Sequence, residues 1–421
     1  MSGVLQAVIQ NFRSFGAGFW IGNLGDSGSS DVGSGVGLDS SGNLYFFGYS
    51  NASGNQDFQL AKYNASGSIQ WQRKLGSGAD NTSGECAVDS SGNVYFCGFS
   101  SSFLGRIGKY DSSGTLQWQR SLGGSGNTLI RSIAASASNV YIAATNSASG
   151  TNDCLIAKYN SSGAIQWQRT LDDGLANNGV GVAIDSSENV YVTGSSNSSG
   201  SFDILIVKYN SSGTLQWQRT LGGLTSDSGT GIAVDSSGNS YISANSLDGL
   251  QLAKYNSSGT IQWQKLLSSL DIARSEAIAV DSSGNCYITG RVNISNDYVQ
   301  LAKYNSSGTI QWQRTLGNGT DSGSGLAITV DSSDSFYVSG YVAISSVNNF
   351  LITKLPTDGS KTGTYTVNGN SITYAASSMT DTTSVLTDSA SSLTSSTSTL
   401  TDAATSLTDS ASTLASSVTT I

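Results

Sequence analysis

Ile278-Ala279-Val280-Asp281-Ser282-Ser283-Gly284-Asn285-Cys286-Tyr287, a variable segment, and then Lys303-Tyr304-Asn305-Ser306-Ser307-Gly308-Thr309-Ile310-Gln311-Trp312-Gln313-Arg314-Thr315-Leu316-Gly317 form one copy of a unit that the chain writes seven times. Its Tyr recurs at Tyr45, Tyr95, Tyr141, Tyr191, Tyr241, Tyr287 and Tyr337, and its Lys at Lys62, Lys109, Lys158, Lys208, Lys254, Lys303 and Lys354. Nine residues after each of the first six Lys comes a Trp: Trp71, Trp118, Trp167, Trp217, Trp263 and Trp312. Nine residues after Lys354 stands Gly363 instead. The seventh Trp is Trp20, which precedes Tyr45 by 25 residues, as Trp312 precedes Tyr337. Trp20 and Leu24 therefore complete the last unit, and the two ends of the array must meet.

A period just under fifty residues belongs to solenoids, propellers or arrays. Each unit holds four short runs of β-branched and aromatic residues, such as Val182-Ala183-Ile184, Val190-Tyr191-Val192-Thr193, Ile204-Leu205-Ile206-Val207 and Thr214-Leu215-Gln216-Trp217-Gln218. Four strands per unit make a propeller blade. The turns between them, Asp-Ser-Ser-Gly-Asn and Asn-Ser-Ser-Gly, place Asp or Asn first and Gly where the backbone needs a positive φ. The spacing predicts an all-β, seven-bladed propeller over residues 17–358, with residues near 17–25 as the outermost strand of the last blade beside Phe350-Leu351-Ile352-Thr353. The six other Trp are expected to pack between blades.

If strands a to d run outward from the axis, the a–b and c–d turns share one face, and the b–c and d–a connections share the other. Tyr to Lys varies from thirteen to seventeen residues, while Trp to the next Tyr stays within 23 to 25. Variation concentrates in the b–c loops, so that face is where a ligand is expected.

Asp185-Ser186-Ser187-Glu188-Asn189-Val190-Tyr191-Val192-Thr193-Gly194, with Glu188 in place of Gly, and the later Leu205-Ile206-Val207-Lys208-Tyr209-Asn210-Ser211-Ser212-Gly213 resemble the bacterial seven-bladed β-propeller repeat family of SBBP type. The resemblance runs from about Trp20 to Pro356. It implies the fold, and it leaves the role open because one fold hosts many functions. Blade three departs from the pattern: Ala135-Ser136-Ala137-Ser138-Asn139 lacks both Asp and Gly, so its turn is expected to be irregular.

Past Pro356, the only proline, Thr364 to Tyr374 alternates around Asn368-Gly369, a hairpin signal that places a hairpin or linker at 359–378. In 379–421, Leu386, Leu393, Leu400, Leu407 and Leu414 recur every seven residues, with Met379 before and Ile421 after. Four residues after each Leu comes Ala390, Thr397, Ala404, Ala411 or Val418. This is the heptad pattern of a coiled-coil helix, and self-association along that seam, guessed as a trimer, is the expectation. A flexible or O-glycosylated Ser/Thr stalk is the alternative. At the other end, Val4, Leu5, Val8, Ile9 and Phe12 suit a short amphipathic arm over 1–16, packed on the ring or docked into a larger assembly. It lacks the basic start and unbroken apolar run of a signal peptide.

The chain has no His, which removes the commonest general base and metal ligand. Cys86, Cys97, Cys154 and Cys286 have no fixed place in the repeat and read as buried thiols, although Cys86 and Cys97 flank one hairpin. A net charge of −9 with only 12% charged residues argues against nucleic acid. No apolar run is long enough to span a membrane. Arg73, Arg120, Arg169, Lys265, Arg219 and Arg314, two residues after each Trp, and the repeat Lys read as edge-strand charges that oppose sheet-to-sheet pairing. The Asp turn lacks the alternating carboxylates and bidentate Glu of a calcium loop. The Asn-x-Ser triplets, such as Asn160-Ser161-Ser162, match glycosylation sequons only because turns are written in the same letters. No repeat-breaking catalytic constellation is evident, and no cofactor or metal is expected.

These features are similar to fibre or accessory proteins on the virions of tailed bacteriophages, assembled in the host cytoplasm. That resemblance implies a non-enzymatic structural and binding protein that docks to other virion proteins and meets a host glycan or surface protein. A bacterial surface or secreted adhesin is the second reading. A propeller enzyme such as a polysaccharide lyase or glycosidase is the third, with Asp57, Asp153 and Asp203 at the start of strand c as its candidate carboxylates.

Overall fold

In the computed structural model each unit is an antiparallel four-stranded sheet, and seven sheets surround one axis. Residues 19–420 are described, apart from 25–28, 53, 77–78, 269–272, 294–296, 318–321, 333–334, 345–346, 368–369, 378, 384–386, 391–393, 398–400, 405–407 and 412–415. The expected N-terminal arm and the Leu386, Leu393, Leu400, Leu407, Leu414 and Ile421 seam lie outside the described residues. Blade four shows the plan: Asn177–Ile184 (a), Val190–Ser196 (b), Asp203–Tyr209 (c) and Leu215–Gly222 (d). The Asp185 carboxylate accepts the Ser187 and Asn189 N–H groups at 2.9 Å, and the Asn210 side chain accepts those of Ser212 and Thr214. Side-chain oxygens thus close both turns. Strands b and c are buried on both faces, and each apolar cluster joins two blades, as Tyr141 and Ile156 of blade three meet Val182, Val192 and Leu205 of blade four. The core is therefore a set of layers between blades.

Polar latches reinforce those layers on the turn face. Lys208 Nζ and Trp217 Nε1 both donate to Ser257 O of the next blade at 3.1 Å, and Arg219 Nε donates to Gly259 O at 2.8 Å. The Lys208 ammonium also lies 4.8 Å from the Tyr191 ring centroid. Gly259 has φ +79°, and a Cβ there would come within 2.7 Å of Trp217. Lys62, Lys109, Lys158, Lys208, Lys254 and Lys303, with Arg73, Arg120, Arg169, Arg219 and Arg314, are thus inter-blade donors, which corrects their reading as edge charges: the neighbour's c–d turn aims its carbonyls at them.

Trp20–Leu24 pairs antiparallel with Val347–Pro356, Trp20 opposite Lys354 and Leu24 opposite Phe350. Trp20 is buried, stacked on Tyr63 at 6.2 Å and edge-on to Phe46 at 6.4 Å. Blade seven keeps its c–d turn, where Gly359 N–H donates to Pro356 O and Trp312 Nε1 donates to Thr357 O at 2.9 Å. Only the d strand comes from elsewhere. That strand is not outermost, because Ser416–Thr420 pairs along its far side.

The tail supplies a fifth strand to every blade. After the hairpin of Gly363–Val367 and Asn370–Ala376, which pairs on blade six, come Thr380–Thr383 on blade five, Thr387–Ala390 on four, Thr394–Thr397 on three, Thr401–Ala404 on two, Thr408–Ala411 on one and Ser416–Thr420 on seven. The described residues of 379–421 contain no helix, which corrects the coiled-coil expectation. The seven-residue period has a different cause here. Ala376, Thr383, Ala390, Thr397, Ala404, Ala411 and Val418 face Arg314, Lys265, Arg219, Arg169, Arg120, Arg73 and Gly22, the residue two after the Trp in successive blades. One heptad is one strand and one link, so the tail advances a blade per repeat. Ser and Thr form helices poorly, while Thr suits strands.

Blade three also explains an oddity in blade four. Its a–b turn is one residue shorter, with Ala135 opposite Val140 where blade four pairs Ile184 with Val190. Ser136 stands where the other blades have Asp. Glu188, with φ +57° in the Gly position of blade four, reaches back and accepts Ser136 Oγ at 2.5 Å, Asn139 Nδ2 at 2.9 Å and Tyr141 OH at 2.8 Å. Lys158 lies 3.4 Å away. The two departures compensate: one blade lends a carboxylate to its neighbour.

Candidate ligand-binding face

The face opposite the latches is built from the b–c loops, the d–a connections and the strand ends that carry them. Asp57, Asp153 and Asp203 open strand c there, and all three are buried. Asp57 pairs with Lys74 at 3.0 Å, whereas Asp153 and Asp203 accept the hydroxyls of Ser149 and Ser199, four residues earlier, at 2.7 Å. Asp153 and Asp203 thus close their own loops, whereas Asp57 ties strand c to strand d. Burial raises the Asp153 pKa, and Asp172 and Asp173 add to it against the Ser149 hydrogen bond. Asp227 rises to about 6, chiefly through burial and then through Asp203 and Asp248, against a hydrogen bond from Gly223 N–H. The loops at 144–154, 172–178, 195–203, 222–229 and 245–250 hold six Asp and no Lys or Arg. Asp153, Asp203 and Asp227 are buried, so the surface of blades three to five carries the carboxylates of Asp172, Asp173 and Asp248 with no cation in these loops.

Apolar groups share this face. Phe103, Leu175, Leu224 and Leu247 are the exposed large hydrophobic side chains among the described residues, and Leu224 is fully solvent-exposed. All four lie in b–c or d–a connections. The residue after Gly48, Gly98, Ala144, Gly194, Ala244, Gly290 and Gly340 near the end of strand b is Tyr49, Phe99, Thr145, Ser195, Asn245, Arg291 and Tyr341 in blades one to seven. Adjacent blades seven, one and two therefore carry three half-exposed aromatic rings. Tyr341 lies within electrostatic reach of Tyr49, Arg291, Asp297 and Glu276. Arg291 pairs with Asp297 at 3.6 Å.

Inside the ring, the inner strands line a channel of about 140 Å³. At its wall Gly35, Ser132, Gly181, Gly231, Ala277 and Ala327 are small, and the equivalent residue of blade two is Glu85. Ser132 Oγ donates to the Glu85 carboxylate at 2.5 Å and accepts Val182 N–H at 3.0 Å, which links blades two, three and four. Burial pushes the Glu85 pKa up to about 7, against hydrogen bonds from Ser132 and the Ile133 backbone. Glu85 breaks the repeat, and sequence reasoning passed over it. Aligning Cys86 with Val36 exposes it, but a backbone bulge at each inner strand and the variable residues there hide that alignment.

Two stretches of the chain, 176–202 and 216–250, match the SBBP beta-propeller repeat. No curated protein matches. Among solved structures, puromycin hydrolase is similar at 12% identity with a TM-score of 0.50 over 77% of this chain, which spans about half (52%) of that one. An ulvan lyase of polysaccharide lyase family PL25 reaches 11% identity and 0.48, over 80% of this chain and 95% of that one. A Lactobacillus plantarum protein reaches 15% and 0.48, over 66% and 82%. At these identities the likeness is one of fold alone.

Among the described residues no three His, Cys, Asp or Glu side chains converge on a metal position. All four Cys are buried and free, and burial pushes the Cys154 and Cys286 thiols up to about 12. Cys86 packs with Tyr45 and Phe47 and Cys97 with Ile107 and Ile130, so they sit in different layers on opposite sides of blade two. No helix among the described residues is long and apolar enough to cross a membrane.

Proposed function

We propose that this chain is a non-enzymatic recognition protein whose ring meets its ligand with the b–c face. One observation carries the reading: Phe103, Leu175, Leu224 and Leu247 all lie on that face, whereas the turn face is written in Ser, Asn, Asp and Gly. Exposed apolar groups gathered on one side of a rigid scaffold mark interaction surfaces. The carboxylates suited to lyase or glycosidase chemistry, Asp57, Asp153 and Asp203, are buried, the first paired with Lys74 and the other two closing their loops, which favours binding over catalysis. In the setting that the sequence resembles, a phage virion, this face meets the host surface, and the tail stays on its own ring as a belt of strands. The test is binding of fluorescently labelled protein to envelope preparations from a panel of bacteria. A combined Phe103→Ser, Leu224→Ser, Leu247→Ser variant should lose binding, while Ser162→Lys and Ser258→Lys on the turn face should not. Equal behaviour of the two variants overturns the assignment.

A further inference from the structure

Resting on that reading of the face, we infer that Tyr341, Tyr49 and Phe99, with Arg291 and Glu276 at one end, form a binding arc for a neutral oligosaccharide laid across the channel mouth. These rings occupy one repeat position in three adjacent blades, where blades three, four and five carry Thr145, Ser195 and Asn245. Each is half-exposed, while Thr145 and Ser195 are buried. Tyr49, Phe99 and Tyr341 pair with Val32, Thr82 and Ser324 of the inner strands, which places the arc on the rim of the channel.

Three considerations choose the ligand class. Packed sheets stand about 10 Å apart, so rings on three adjacent blades span the length of an extended chain rather than one small molecule. The channel, at about 140 Å³, is below the roughly 300–1,000 Å³ of a small-molecule pocket, so the ligand lies over the mouth and not within it. Lastly, the neighbouring loops of blades three to five are acidic and free of Lys and Arg, which repels polyanions such as nucleic acid or sulfated polymers. A pyranose offers an apolar C–H face to an aromatic ring and hydroxyls to the groups beside it. Tyr341 lies within electrostatic reach of Arg291, Asp297 and Glu276, and Arg291 and Asp297, paired at 3.6 Å, are a donor and an acceptor suited to those hydroxyls.

The probes are maltohexaose, cellohexaose and chitohexaose, each titrated to about 10 mM, beyond the millimolar range of weak binding, and followed by saturation-transfer NMR. At least one should bind saturably, with transfer to its ring protons. Tyr49→Ala and Tyr341→Ala should each weaken it about tenfold, equivalent to about 1.4 kcal/mol. Tyr49→Phe and Tyr341→Phe, which keep the ring, should retain most of the affinity and control for folding. Leu224→Ser should leave sugar binding intact. No binding by any of the three, or binding indifferent to both Ala variants, overturns the arc. If envelope binding still depends on Phe103, Leu224 and Leu247 in that case, the recognition face stands and only its glycan assignment falls.

Discussion

The ring and the belt around it are both periodic, yet their repeats carry different kinds of information. A ring unit of just under fifty residues contains its own turns, its own strands and both halves of an inter-blade layer, as Asp185, Asn210, Tyr191 and Trp217 illustrate. A belt unit of seven residues contains a strand of four and a link, and it acquires meaning only from the spacing of the blades it crosses. Seen alone, its Leu spacing is that of a coiled coil. A short period thus identifies a partner's geometry, and that partner can be another helix or a ring of sheet edges.

Breaking the ring should cost most. Removal of residues 1–25 takes the d strand of blade seven together with Trp20, Ile21 and Leu24, all buried; thermal melting should show loss of most of the roughly 5–15 kcal/mol that holds such a fold. Trp20→Ala alone should cost about 3–5 kcal/mol. A chain ending at Gly359 loses the belt and the buried Ile372, Tyr374 and Met379, but the blades remain complete, so it should melt cooperatively with about 2–5 kcal/mol less stability. Light scattering should give the mass of one chain, 43.4 kDa for the full sequence, since the tail is engaged by its own ring. A trimer that dissociates on truncation would show that the tail leaves the ring for other tails.

Within the ring, Glu188→Gly restores the common turn letter of blade four yet should destabilise by about 1–3 kcal/mol, because Ser136, Asn139 and Tyr141 lose their acceptor. Burial raises the Glu188 pKa, but hydrogen bonds from Ser136, Tyr141 and Asn139 and the charge of Lys158 outweigh it and bring the group to about 2. Its contribution is present above the ordinary Glu value and is lost as pH falls toward 2. Denaturation of wild type and Glu188→Gly should therefore converge in acid.

Glu85 has the opposite sign and the smallest effect. Its folded pKa, raised by burial to about 7, lies above the unfolded value of 4.5, so the folded state binds more protons between them. Stability should fall as pH rises through that window. Glu85→Gln should flatten the decline and gain about 1–2 kcal/mol above pH 7, a figure reduced from the full ~1.4 kcal/mol per pKa unit because the channel admits water. A variant as pH-dependent as wild type would locate the titration elsewhere.

The seven copies, their hairpin turns and the displaced Trp20 determined by themselves the blade count, the strand order and the closure by the N-terminus, since these rest on local turn chemistry and on a count that must close. The variable face was legible in the Tyr-to-Lys spacing for the same reason. Tertiary structure alone decided that Asp57 pairs with Lys74 while Asp153 and Asp203 close their loops, that Arg219 and its equivalents latch the next blade, and that Glu85 lines the channel where the equivalent residues of the other blades are small. It also decided that Tyr341, Tyr49 and Phe99, far apart in the chain, are neighbours, and that Glu188 answers a gap 52 residues earlier at Ser136. Each of these depends on what a neighbouring blade places opposite the residue, and a repeat read along the chain carries no record of what lies across the gap between sheets.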